Sequence, residues 1–288
     1  MLEEKGMLVR LSIGQWTANR KDKTVTQEVA TNHNSDADMG IYRKALVAKN
    51  GLKAVQSAAG DARTFHYTNT LPWNDNGDRI LPAANFFIYR QEIDKLKKDF
   101  ETAVRDIINN YDEMIADARI RLNGLFDSSD YPDRYELERK YYFTVDISPI
   151  PTSADFRLTL TNGEEEAIKQ EIESRLQAAA QKANRDAWTR LYETVARFGE
   201  VLPAFDPAAI GKDRGTFRDS LVGNAVELCD LLTRLNITED PELERMRKEV
   251  ENKLTAYSAK ELREDTNARK EVTRDAEAIL AAMKPFIS

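Results

Sequence analysis

Apolar residues return every third or fourth position between Ile93 and Leu122: Ile93, Leu96, Phe100, Val104, Ile107, Tyr111, Ile115, Ala118 and Leu122. A single stripe of this kind marks an amphipathic helix. The spacing predicts that helix between Leu81 and Leu125, roughly 50 Å at about 1.5 Å per residue, with Asn123-Gly124 as its stop. Ile168, Ile172, Leu176, Ala179, Ala183, Ala187, Leu191, Val195 and Phe198 mark a second long helix, expected to end at Gly199. The alanines in its stripe allow close approach of another helix. Phe217, Leu221, Val222, Ala225, Leu228, Leu232 and Leu235 define a third. Thr238-Glu239-Asp240-Pro241 opens a fourth, carrying Leu243, Met246, Val250 and Leu254. Ser258 and Glu261 have capping-box spacing ahead of a last helix that ends near Met283. These last two are about half charged with thin stripes, which predicts a peripheral hairpin or an oligomer contact rather than core.

Alternation of period two appears elsewhere. Met7–Ile13 and Tyr141–Ile147 read as strands, the latter rich in aromatic and β-branched residues. Phe156–Thr161 reads as another, and Phe65 and Tyr67 alternate with polar neighbours in Thr64–Thr68. Asn74-Asp75-Asn76-Gly77 is turn chemistry between Pro72 and Pro82, so Thr64–Tyr89, with six aromatics, predicts a hairpin feeding the first long helix. Trp73, flanked by Leu71, Ile80 and Leu81, is expected to be buried against the helix that follows. Residues 17–40 read as a long polar loop with at most a short helix around Thr26–Ala30, and Ile41–Ala58 as a helix. Asp127 to Pro132 reads as a turn capping a short helix over Arg134–Lys140. The fold class expected is α+β and predominantly helical, long amphipathic helices packed with a small antiparallel sheet or ribbon. Pro203–Gly215 offers a boundary between an α+β domain, 1–202, and a C-terminal helical region, 203–288.

Composition narrows the classes. No window approaches eighteen consecutive apolar residues, so no transmembrane helix is expected. The first residues, MLEEKGMLVRLSIG, lack the long apolar run of a secretory signal. Cys229 is the single cysteine, which excludes an intrachain disulfide and suits a cytoplasmic location. The net charge is −7, yet residues 1–60 hold nine Lys and Arg against six acids. A basic edge on an acidic body suits nucleic acid or an acidic partner, unless it is simply a solvated surface.

Groups able to carry chemistry are sparse. His33 and His66 match no metal spacing. Cys229 sits on an apolar stripe, the place of an inert thiol. Gly211-Lys212-Asp213-Arg214-Gly215 lacks the Gly-Lys-Ser/Thr order of a phosphate loop. Asp127, Asp130 and Asp133 stand three apart, where a calcium loop needs alternate positions; helix capping explains them. Basic and aromatic residues interleave at Trp16, Arg20, Lys21 and Lys23, and again at Arg63, Trp73 and Arg79, a pattern used for stacking single-stranded bases over a positive groove. The alternative is that these rings build core.

HYTNTLPWNDNGDRILPAANFFIY, LFDSSDYP and FTVDISPIPTSADFRL, in this order, resemble a family of uncharacterised phage and prophage proteins. LSIGQWTANRKD is similar to the opening of bacterial proteins of a domain of unknown function. The resemblance covers roughly residues 7–160 and implies a phage-encoded protein of the host cytoplasm, often encoded near a MoxR/CobS-like AAA+ ATPase. It transfers no catalytic residue. The expected function is therefore a non-enzymatic, oligomeric interaction protein binding a protein partner through its long helices, that ATPase being one candidate. The alternative is a single-stranded DNA-binding or annealing protein using Trp16, Arg20, Lys21, Lys23, Arg63, Trp73 and Arg79. No catalytic, cofactor-binding or metal-binding residue is assigned.

Overall fold

The structure is a computed structural model, and it describes residues 2–36, 38–74, 76–153, 162–209 and 215–287. In chain order it runs α1 (Leu2–Lys5), β1 (Gly6–Gly14), β2 (Asn19–Lys21), α2 (Lys23–Asn32), β3 (Arg43–Ala45) and α3 (Lys53–Thr68). Then follow β4 (Leu71–Pro72), β5 (Arg79–Pro82), α4 (Phe86–Asn109), α5 (Tyr111–Leu122), α6 (Arg134–Arg139) and β6 (Tyr142–Ser148). The chain closes with α7 (Asn162–Ala204), α8 (Ser220–Leu235), α9 (Pro241–Leu254), α10 (Ala259–Glu264) and α11 (Thr266–Ile287). The larger sheet has the order β4-β5-β1-β6, and β2 pairs with β3 as a separate ribbon. This is the predominantly helical α+β fold that the periodicities predict.

Two compact units form, one from residues 1–10, 67–88 and 146–288, the other from 11–66 and 89–145. Residues on both sides of the expected 202/203 boundary thus belong to the first unit. Contacts made over long sequence separations, rather than the Pro/Gly-punctuated connection, set the division.

The first unit is built on α7, 43 residues long. Ala183, Ala187, Leu191, Val195 and Phe198 are at most 1% exposed along it. The helix passes Gly199, its expected stop, and takes Pro203 into its last turn before ending at Ala204. Against it pack α9 and α11, whose Met246, Val250, Leu254, Val272, Ala276 and Met283 are fully buried. These helices are central core, which corrects their expected place at the periphery. Their charges close on one another instead: Arg245 bonds Glu242 and Glu249, and Arg247 bonds Glu244 and Glu251. A thin stripe is enough when the opposite face needs no other partner. The final helix is also divided, α10 starting at the Ser258–Glu261 capping box and α11 after Asp265.

Asp240 fastens the α8–α9 turn to α7. Its carboxylate caps α9 through the amides of Glu242 and Leu243, at 2.9 and 3.2 Å. It also accepts from Asn184 Nδ2 and Trp188 Nε1, both at 3.0 Å. Burial alone would raise its pKa, but these four donors outweigh burial and hold the carboxyl below its usual range. Cys229, buried on α8, donates its thiol to the Arg247 carbonyl; burial pushes that thiol up to about 11, so it stays protonated and inert.

In the second unit the expected loop 17–40 contains β2 and α2. Asp22 caps α2 by accepting from Val25 N, and Thr26 and Ala30 are its buried residues. The expected helix over Ile41–Ala58 is instead strand β3, a 3-10 turn at Lys49–Leu52 and the start of α3. α3 continues through Thr64–Thr68, so the expected strand there is its last turns. The buried face of α3 is Val55, Ala59, Ala62 and His66, too small and too polar to announce itself as a stripe. The predicted 81–125 helix is present but divides at Asn110 into α4 and α5, and Asn123, at φ +47°, ends it. β4 and β5, on either side of the expected turn, do pair antiparallel, with Leu71 opposite Ile80. The expected strand over 156–161 lies outside the described residues.

Asp240→Ala removes the α9 cap and strands the Trp188 and Asn184 donors, and is expected to cost about 2–4 kcal/mol. Asp240→Asn keeps the capping oxygen and is expected to cost less. The parent carboxyl is depressed in the folded state, so its stabilisation is full above the unfolded value of about 3.9 and is lost as pH falls through the folded value. Melting temperatures recorded between pH 6 and pH 2 check this: the parent should lose more stability in that window than Asp240→Asn, and parallel curves would refute it.

Candidate functional site

Arg190, Glu193, Thr194, Arg197 and Val201 repeat at helical spacing on one face of α7. Ser220, Leu221, Asn224, Glu227, Leu228 and Leu231 do the same on α8. The two helices run antiparallel. At one end the Phe205 and Phe217 rings meet edge-on at 5.7 Å, joining the end of α7 to the start of α8. Gly215, at φ +74°, lets the connection pass there, since a Cβ would run into the Ala204 carbonyl. At the other end both helices reach the hairpin segment, α7 through Arg190 and α8 through Arg234.

The Arg190 fork donates to the carbonyls of Tyr67, Thr68 and Thr70, at 3.1, 2.5 and 2.9 Å. Its Nε lies 2.8 Å from Asp186. Arg79 also donates to Thr70, to its carbonyl at 3.0 Å and its hydroxyl at 2.7 Å, and lies over the Tyr67 ring. Burial lowers the Arg79 pKa, with Asp186 opposing and Arg190 adding to that shift. Arg234 donates to Asn85 Oδ1, and buried Asn85 donates onward to Asn69.

Between these fixed ends a groove of about 890 Å³ opens, closed at the hairpin end by Tyr67 and Thr68. Its floor is apolar: Leu221 and Leu231 are largely covered, Val201 and Leu228 half-exposed. Its rim carries Glu193, Arg197, Arg218 and Glu227, none of which makes an ion pair with another described residue. Neither wall holds a histidine or cysteine, and among the described residues no three His, Cys, Asp or Glu side chains group as metal ligands would. What the arrangement offers is apolar area inside a ring of uncommitted charge of both signs.

The residues proposed from sequence for nucleic acid are divided between the units. Trp16 is 8% exposed, packed edge-on to Tyr111 at 5.8 Å, so no face of its ring is open for stacking. Arg20 lies 3.3 Å from Asp130 and Arg63 donates to the Ile13 carbonyl. Lys21 and Lys23 are exposed at the end of β2 and the start of α2. These five belong to the second unit. Trp73 and Arg79 belong to the first, where Trp73 is half-buried against the core cluster of that unit and Arg79 is held by Thr70. Leu221 and Leu228 stand in the stripe of the third helix, whereas the rim charges flank the stripes and leave no apolar periodicity. The spacing of Arg190, Glu193 and Arg197 on one helical face was the only available signal.

Arg190→Lys keeps the charge but not the planar fork, and three carbonyls cannot be served by an ammonium at the same geometry. The expected loss is about 2 kcal/mol. A denaturation midpoint unchanged to within about 0.5 kcal/mol would exclude the clamp as a structural element.

No family model, no curated protein and no solved structure matches the chain.

Proposed function

We propose that the chain is a non-enzymatic interaction protein that seats a segment of a protein partner in the groove between α7 and α8. The observation that carries this reading is the groove's composition. Leucines and a valine line the floor, and four charges without ion-pair partners among the described residues stand on the rim. Apolar centre and polar rim are the anatomy of a protein interface. The apolar stripe of α7 is not the binding surface, because its residues are spent in the chain's own core. The family resemblance names a MoxR/CobS-like AAA+ ATPase as one candidate partner, in a phage setting. Self-association is the other use open to the groove, with a second copy supplying the segment.

Asn224 is exposed within the groove, so Asn224→Trp obstructs the seat and should leave the melting temperature unchanged. Proteins retained by the immobilised parent from infected-cell lysate should fall at least about tenfold on the variant, a change of about 1.4 kcal/mol. If a concentration-dependent dimer of the parent disappears in the same variant, the occupant is a second copy. Identical retention and identical mass for parent and variant would sink the groove as the docking site.

A second reading, single-stranded DNA binding, draws support from the β2–β3 ribbon. Lys21 stands directly opposite Arg43, both exposed, and neither has an ion pair among the described residues. Like charges facing each other across strands are destabilising, and a phosphate between them would relieve that repulsion. Lys23, exposed in the first turn of α2, adds a third cation nearby. Fluorescence anisotropy with a labelled oligonucleotide should then give binding at about 50 mM salt that weakens as salt rises, with a shallower slope for Lys21→Glu/Arg43→Glu. Absence of binding at low salt rules the reading out.

A further inference from the structure

The rim charges of the groove are sorted by end. Arg197 and Arg218 stand toward the end where Phe205 meets Phe217. Glu193 and Glu227 stand nearer the end closed by Tyr67 and Thr68. On α7 the step from arginine to glutamate is about one turn, roughly 6 Å, and on the α8 side it is about twice that. Because the helices are antiparallel, the two walls reach the same order from opposite sequence directions. Arg190 also lines the groove at the Tyr67 end, but its charge is closed by Asp186 and by the carbonyls of Tyr67, Thr68 and Thr70, so the uncommitted charges give the groove a positive end and a negative end on both walls.

The wall of α7 from Arg190 to Val201 spans roughly 17 Å, or about three helical turns. An α-helix presents one apolar stripe to such a floor and carries a partial negative charge at its C-terminus and a positive one at its N-terminus. We propose that the occupant is an amphipathic helix of a protein partner lying in one direction. Its C-terminal turn and acidic side chains lie over Arg197 and Arg218, and its N-terminal turn and basic side chains lie beside Glu193 and Glu227. This rests on the docking reading and adds the chemistry and polarity of the bound segment. The opposite direction places like charges together at both ends, a repulsion that selects against it.

Two stapled peptides of three to four turns test the proposal. Both carry the same leucine stripe; one has Lys at its N-terminal end and Glu at its C-terminal end, and the other has these charges exchanged. The staple, on the outward face, holds both helical, because the first charge order opposes the peptide's own helix dipole and would otherwise unwind it. Affinity is read by fluorescence anisotropy with the full-length chain. The first peptide should bind at least about tenfold tighter than the second, the preference should vanish or reverse with Arg197→Glu/Arg218→Glu, and Asn224→Trp should abolish both. Equal binding of the two peptides, lost in Asn224→Trp, keeps the docking reading and overturns the polarity. A preference for the exchanged peptide overturns it too. No binding of either peptide at about 1 mM overturns both.

Discussion

Where α3 ends, the chain has to find donors for carbonyls that no longer have helical partners. Thr70 is fully buried just beyond, so its carbonyl cannot turn to water. The Arg190 guanidinium meets the need from α7, taking the carbonyls of Tyr67, Thr68 and Thr70 with one planar group. Arg79 joins it on Thr70, and Asp186 offsets the concentration of positive charge. The hairpin is fastened to α8 by the same device, since Arg234 holds Asn85 and Asn85 holds Asn69. With both helices tied to one rigid segment here, and with Phe205 against Phe217 at the far end, the separation of α7 and α8 is set at two points. The groove lies between those two fixings, with Val201 and Leu228 half-exposed in it while Leu221 and Leu231 are covered.

A different balance holds the second unit. Lys44 is 6% exposed, with its ammonium 2.7 Å from Asp130, 3.5 Å from Asp22 and 2.7 Å from the Leu125 carbonyl. Burial alone would lower its pKa; the two carboxylates outweigh burial and keep it raised. Removing one member of such a set leaves a buried charge without compensation, which is why its parts act together. The aspartates at 127, 130 and 133 are used accordingly. Asp127 and Asp133 cap the turns that follow them, and Asp130 answers the buried lysine. The same lysine–aspartate pairing explains why Arg20, beside Asp130, is a poor candidate for nucleic acid, whereas Lys21 on the opposite face of the ribbon is left uncommitted.

How far the sequence reads depends on what each helix buries. Stripes of large residues, as on α4, α7 and α8, place helices within a few residues, and Asp240-Pro241 and Ser258–Glu261 place two N-termini through capping chemistry alone. α2 and α3 bury Thr26, Ala30, Ala59, Ala62 and His66, so the periodicity there is carried by small or polar residues that a hydrophobic pattern does not register. Phe65 and Tyr67 mislead for a related reason. They alternate as in a strand, yet Tyr67 is exposed on the last turn of a helix, where its ring lies beside Arg79. Tertiary partners decided these segments. The groove was illegible because its floor and rim come from helices separated by the 205–219 connection, and no local pattern states which faces of the two will border one groove.

The charges on the groove's rim differ from those elsewhere on the same helix. Glu165 closes on Lys169 and Glu171 on Arg175, each four residues apart in the favoured order. Glu193 and Arg197 have the same order and spacing, yet remain open. A closed pair of this kind is worth only about 0.3–0.5 kcal/mol, so leaving it open costs the fold little. Exposed charges in turn add little to affinity, because water screens them, but they decide which approach is repelled. Affinity must come from the floor, at about 25 cal/mol per Å² of apolar surface covered. Under the proposed docking, leucines and arginines in this groove would have separable roles, the first setting how tightly a helix is held and the second which way round it lies.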